Sequence, residues 1–104
     1  MLGINLIDYE RVHTITSVSD ADPTITATAG TQYICDEVGT LSFTPSSSGL
    51  CDVIFTSGST PTILTVPNTV KFPAWFDATN LSANTIYEIN VLDGEYGVVA
   101  AWPA

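Results

Sequence analysis

The one histidine in the chain, His13, stands a few residues ahead of Ser17, Ser19 and Asp20, residue types that could form a base, a nucleophile and an orienting acid. Such a relay needs the hydroxyl hydrogen-bonded to the imidazole and the acid holding the ring from behind. His13 instead falls in an alternating run beside Thr14 and Thr16, where hydroxyl-bearing neighbours are ordinary strand surface. A surface histidine is the better reading, and no catalytic residue is assigned.

The carboxylates offer two further chemistries. Asp20 and Asp22, or Asp36 and Glu37, could give oxygen ligands to a hard cation. A dedicated calcium loop alternates its ligands densely over about 12 residues, and no stretch here does so. Asp20 and Asp22 read better as caps of a turn ahead of Pro23, so no metal or other cofactor is assigned. Glu88 and Glu95 could form an acid–base pair on a glycoside, but they flank a hairpin rather than a cleft. Charges that discourage edge-to-edge pairing of sheets explain them better.

The two cysteines, Cys35 and Cys51, leave two readings open: a disulfide, or two buried thiols packing as small hydrophobes. The start of the chain, "MLGINLIDYERVHTI", lacks the basic opening and long apolar run of a secretory signal. That favours free thiols, because the cytosol is reducing. The aromatic residues Trp75, Phe76, Tyr87, Tyr96 and Trp102 could line a sugar-binding platform, although in a small domain such residues more often build the core. Trp75, Phe76, Tyr96 and Trp102 are kept as candidate interface or ligand contacts.

Composition narrows the partners. The 104 residues carry 11 acidic and two basic side chains, Arg11 and Lys71, for a net charge of -9. Nucleic-acid affinity comes from Lys and Arg that displace counterions, and an anionic membrane surface attracts the same residues. Both partners are excluded as leading readings. No run approaches the ~20 apolar residues that span a bilayer. With 45% hydrophobic and 12% charged residues, the chain has the composition of a single small folded domain.

The elements that must position these residues are strands. From Val12 onward the texture turns to Thr, Ser, Val and Ile, whose branched side chains suit a pleated surface. Residues 12–18, 24–29, 31–36, 39–45, 50–57 and 61–67 read as strands, separated by turn clusters such as "SDADP", "AG" and "PSSSG". Residues 69–85 break the rhythm: Pro73 cannot sit in a central strand, and Phe72, Trp75 and Phe76 are expected to plug one end of the core, with a turn or two of helix over 73–82. In the last segment Tyr87, Ile89 and Val91 alternate with Glu88, Asn90 and Leu92, and Asp93-Gly94 signals a tight hairpin. The return arm sets Tyr96, Val98, Ala100 and Trp102 against Gly97, Val99 and Ala101. Closely spaced strands with no helical period predict an all-β fold, an antiparallel β-sandwich of jelly-roll-like form with little helix, over residues 12–104. Residues 1–11 read as a leader or connector. The predicted core is Tyr33, Leu41, Phe43, Val53, Phe55, Ile63, Leu64, Ile89, Val91, Val98 and Trp102.

Three stretches together resemble a module of structural proteins in tailed bacteriophages: "TITATAGTQYICDEVGTLSFTP", "SGLCDVIFTSGSTPTILTVPNTVKFPAWFD" and "LSANTIYEINVLDGEYGVVAAW". The last is similar to a hairpin at the end of fibre and capsid-associated proteins of phages of low-GC Gram-positive bacteria. The resemblance runs from about residue 24 to residue 104. It implies a non-enzymatic virion domain of fibre, tail or capsid-decoration type, made in the host cytoplasm and released by lysis. It also implies a homotrimer that touches other virion proteins and serves host attachment. The alternative is a small lectin-like module that binds a host cell-wall glycan. The residues agree with self-association in one respect. The return arm is apolar on both faces, so a second layer must cover one of them.

Overall fold

The computed structural model describes Thr14–Ala104. His13, Arg11 and the leader over residues 1–11 lie outside the described residues. The fold is all-β, with eight strands among the described residues: β1 (Thr14–Val18), β2 (Thr24–Thr26), β3 (Thr31–Glu37), β4 (Thr40–Thr44), β5 (Leu50–Ser57), β6 (Ile63–Thr65), β7 (Thr85–Leu92) and β8 (Tyr96–Pro103). They form a five-stranded sheet in the order β1-β3-β5-β7-β8 and a three-stranded sheet in the order β2-β4-β6.

The connectivity corrects the antiparallel expectation. Up to β6 the chain alternates between the two sheets, so β1–β3, β3–β5, β2–β4 and β4–β6 all pair parallel. The β5–β7 and β7–β8 pairs are antiparallel. Jelly rolls belong to the antiparallel architectures, so that form of the expectation does not hold. Parallel neighbours ordinarily need a long crossover, and here the crossover is a strand of the other sheet. The short turns therefore carry the chain from layer to layer instead of folding it back beside itself.

The turns stack as the strands do. Gly30 (φ 78°) and Gly49 (φ 76°) hold left-handed backbone at corresponding corners, joined by Gly30 N–H donating to the Leu50 carbonyl at 2.7 Å. At the opposite corner, Gly39 N–H donates to the Ala21 carbonyl at 2.8 Å, and Ile63 N–H donates to the Gly39 carbonyl at 3.0 Å. Each winding thus rests on the one before.

One core lies between the sheets. Ile25, Leu41, Phe43 and Leu64 from the smaller sheet meet Cys35, Val53, Phe55, Tyr87, Ile89 and Val91 from the larger. Most of the predicted core is placed as expected, with Tyr33 half-buried and packed against it. Three residues are corrected: Ile63, Val98 and Trp102 are exposed at 66%, 52% and 40%, and Val99 is buried in their stead. The segment over 69–85 contains no helix among the described residues. It forms hydrogen-bonded turns, with Phe76 N–H donating to the Pro73 carbonyl and Asn80 N–H to the Asp77 carbonyl. Phe76 does plug the core, edge-on to Tyr87 at 5.9 Å.

Candidate functional site

The acidic residues read as turn caps act as such. Asp22 N–H donates to Asp20 Oδ1 at 2.9 Å, and Asp22 Oδ1 accepts from Thr40 N–H at 2.9 Å. Asp22 thereby ties the β1–β2 turn to the start of β4. Asp20 also lines a shallow depression of about 330 Å³ with Thr16, Thr24 and Tyr33, where it is the one carboxylate among the described lining residues. Among the described residues no group of three or more His, Cys, Asp or Glu is placed to hold a metal ion.

Glu88 and Glu95 take different roles from those expected. Glu95 lies at the hairpin and accepts from Lys71 Nζ at 2.8 Å, a contact that raises the lysine's pKa through the hydrogen bond and then through the charge. Glu88 is no edge charge. It sits on β7, between β5 and β8, and only 2% of it is exposed. Glu88 pairs with Ala100, four rows along the strand from the Leu92–Tyr96 row beside Glu95. At ~3.3 Å per residue that is about 13 Å, beyond the separations of about 5–9.5 Å used by glycosidase pairs. The two carboxylates are not brought together.

Around Glu88, on the face of the five-stranded sheet turned away from the core, the structure assembles a group that sequence reasoning missed. Gln32 Nε2 donates to Asp52 Oδ2 at 2.7 Å, and Asn90 Nδ2 donates to Asp52 Oδ1 at 3.4 Å. These side chains share one row across β3, β5 and β7. Asp52 and Asn90 are 3% and 4% exposed, as enclosed as core residues. Alternation placed Asn90 and Glu88 opposite Ile89, but nothing in the alternation signals that these outward residues are buried.

The aromatic candidates do not converge on one pocket. Trp75 is 62% exposed and packs edge-on against Phe76 at 5.6 Å, while Phe76 itself is buried. Tyr96 and Trp102 lie on the outward face of β8, exposed at 52% and 40%, and the Lys71 ammonium sits 5.5 Å from the centre of the Tyr96 ring. Together with Val98 they form an apolar row along an edge strand.

Both cysteines are free and buried. Burial, and then the Asp36 charge, push the Cys35 thiol up to about 11. Burial, and less so the Asp52 charge, raise Cys51 against the lowering effect of the Ser46 backbone. Because the thiolate is the nucleophile, alkylation of the native protein at pH 8 is expected to be at least about a hundredfold slower than that of the urea-unfolded chain. A raised folded-state pKa means that the folded thiol keeps its proton after the unfolded one has lost it. Stability is therefore full below the ordinary thiol value of about 8.5 and is lost as pH rises toward about 11. Urea midpoints measured across that interval check the sign; a midpoint rising with pH would contradict it.

No family model, no curated protein and no solved structure matches the chain.

Proposed function

We propose that this chain is a non-enzymatic structural domain of a bacteriophage virion, of fibre, tail or capsid-decoration type, working as a homotrimer in contact with other virion proteins. The observation that carries the reading is the apolar row Tyr96, Val98 and Trp102 on the outward face of β8, with Leu92 exposed beside it. Such a row, held rigid by pairing with β7 along its whole length, can pack against a neighbour but offers no reacting group. The resemblance of residues 24–104 to phage virion modules supplies the setting. The two sheets around one core are read as a sandwich, wound from parallel turns before the antiparallel hairpin.

The test is light scattering coupled to size exclusion. The expected mass is three times the 11.0 kDa of one chain. Copies carrying -9 each repel, so the trimer should strengthen as salt screens that repulsion. Val98→Asp should dissociate it without unfolding the domain. A mass near 11 kDa at every protein and salt concentration would overturn the reading.

The lectin-like alternative draws on the exposure of Trp75, an aromatic face open to a host cell-wall glycan. Glycan-array binding abolished by Trp75→Ala would favour it.

A further inference from the structure

We propose that the copies join edge to edge, with β8 of each chain adding as a parallel strand to the edge of β1 in the next. The inference rests on the homotrimer proposed above and names which surface meets which. Among the described residues β1 and β8 are the two edges of the five-stranded sheet. β1, β3 and β5 run parallel, and two antiparallel steps through β7 return β8 to their direction. The edges of two copies can therefore pair head to tail, as β1–β3 and β3–β5 pair within one chain.

The backbone groups are complementary. Gly97 N–H donates to the Lys71 carbonyl, away from β7, so Val99 and Ala101 also turn their backbone groups to the edge. Lys71 bridges that edge at Tyr96, and Val99–Pro103 runs on beyond it. On β1, Thr14 N–H donates to the Gly30 carbonyl at 3.1 Å, so Thr14, Thr16 and Val18 bond toward β3. Ile15 and Ser17 present their backbone groups to the other side. Thr14–Val18 matches Val99–Pro103 in length. With Ala101 opposite Thr16, Ala101 N–H donates to the Ile15 carbonyl and the Ala101 carbonyl accepts from Ser17 N–H, the pattern of a parallel ladder. Edges are ordinarily guarded by charged side chains, and neither stretch has one, so two acidic copies meet there without like charges in contact.

The side chains give an independent check. Val18 packs against the core, so by alternation Thr16 faces inward and Ile15 and Ser17 outward. Val99 is buried in the core, so Ala101 faces inward and Val98, Ala100 and Trp102 outward. The backbone match that sets Ala101 against Thr16 thus joins inward face to inward face. A mismatch of one position would have set the core side of one copy against the solvent side of the next. In this register Ile15, 65% exposed, lies opposite Ala100 and between the exposed Val98 and Trp102. The small alanine leaves the space that the isoleucine fills, and all three apolar side chains leave water together. Such a contact is heterologous, and it closes into a ring when the rotation per copy allows; a trimer is that ring.

Thiol crosslinking reads the contact directly. A chain carrying both Ile15→Cys and Ala100→Cys, treated at pH 7 with a short bismaleimide, should run as covalent dimers and trimers on a denaturing gel. Neither single variant should link beyond the unmodified protein, whose two thiols are buried, because residue 15 meets residue 100 and not its own copy. Ala101→Pro removes one edge N–H that points away from β7, a place where an edge strand tolerates proline. It should bring the mass down from three chains to the 11.0 kDa of one, with the circular dichroism of the folded domain kept. Crosslinking of Ala100→Cys alone as strong as that of the double variant would overturn the edge pairing, since outward faces would then pack on each other. So would a trimer mass that survives Ala101→Pro without any link between 15 and 100; both outcomes leave the homotrimer itself standing. A mass near 11 kDa for the unmodified protein would overturn the homotrimer and the edge pairing together.

Discussion

Phe55→Ala is expected to lower the unfolding free energy by about 3–5 kcal/mol, seen as a fall in urea midpoint with little change in slope. Phe55 is fully enclosed and lies on β5, the central strand of the larger sheet. Its ring stacks on Tyr87, its partner in register, at 5.6 Å between centroids. Tyr87 in turn meets Phe76, and Phe76 meets Phe72 at 5.0 Å. The ring therefore ends an aromatic chain that fastens the irregular segment over residues 69–85 to the sheet. Truncation opens a cavity whose walls are pinned by strand pairing on both sides and cannot collapse into it. Domains of this size are stable by roughly 5–15 kcal/mol in total, so the loss is a large share. Ile63→Ala, at a 66% exposed position, should change stability by no more than about 0.5 kcal/mol. A Phe55→Ala loss below about 1 kcal/mol would mean that the inward face of β5 is misassigned.

The strands were legible because each is built from branched and aromatic residues at period two. Leu41 and Phe43 on β4 and Val53 and Phe55 on β5 follow that period into the core. Strand pairing was not legible. Tight turns between short strands look alike whether the chain folds back within a sheet or crosses to another layer. A repeat could have exposed the winding, but the parallel partners are unevenly spaced. Thr14 pairs with Thr31, 17 residues on, Gln32 with Asp52, 20 on, and Thr40 with Ile63, 23 on. No fixed period survives such spacing.

The corrected faces of β8 have a single cause. A two-residue turn at Asp93-Gly94 would pair Leu92 with Glu95 and send Val98 and Trp102 inward beside Ile89. The ladder instead pairs Leu92 with Tyr96 and Ile89 with Val99, leaving Glu95 as an extra loop residue. A slip of one position exchanges every side chain between faces. Contacts from a distant segment hold it. Lys71 N–H donates to the Glu95 carbonyl at 2.7 Å, and Gly97 N–H donates to the Lys71 carbonyl at 2.8 Å. Gly97 also has to lack a side chain, since a Cβ there would come within 2.9 Å of the Phe72 ring. The buried polar row was hidden for a related reason: the enclosure of Asp52, Glu88 and Asn90 depends on packing between segments, which periodicity within one strand does not encode.

Gly94→Ala is expected to cost about 2–4 kcal/mol, from two contributions that a second variant separates. Asp93 (φ 54°) and Gly94 (φ 67°) both hold left-handed backbone, and Glu95 N–H donates to the Leu92 carbonyl at 3.0 Å across them, the geometry of a type I′ turn. A Cβ at Gly94 first incurs the left-handed penalty of about 1–2 kcal/mol. It also arrives 3.0 Å from the Ser46 carbonyl oxygen and 3.2 Å from Ser47 Cα, backbone atoms that cannot rotate aside. Nor can the hairpin tip withdraw freely. Asp93 N–H donates to the Gly49 carbonyl at 2.8 Å, and Gly49 N–H donates to Asp93 Oδ1 at 2.8 Å, so the tip is clamped to the loop before β5. Asparagine tolerates left-handed backbone better than alanine but carries the same Cβ. Gly94→Asn should therefore recover about 1 kcal/mol of the alanine loss and keep the remainder. Equal losses for the two variants would assign the whole effect to the Ser46 contact. Losses below about 0.5 kcal/mol for both would mean that the tip is not clamped, since unconstrained surface positions change stability by no more than that.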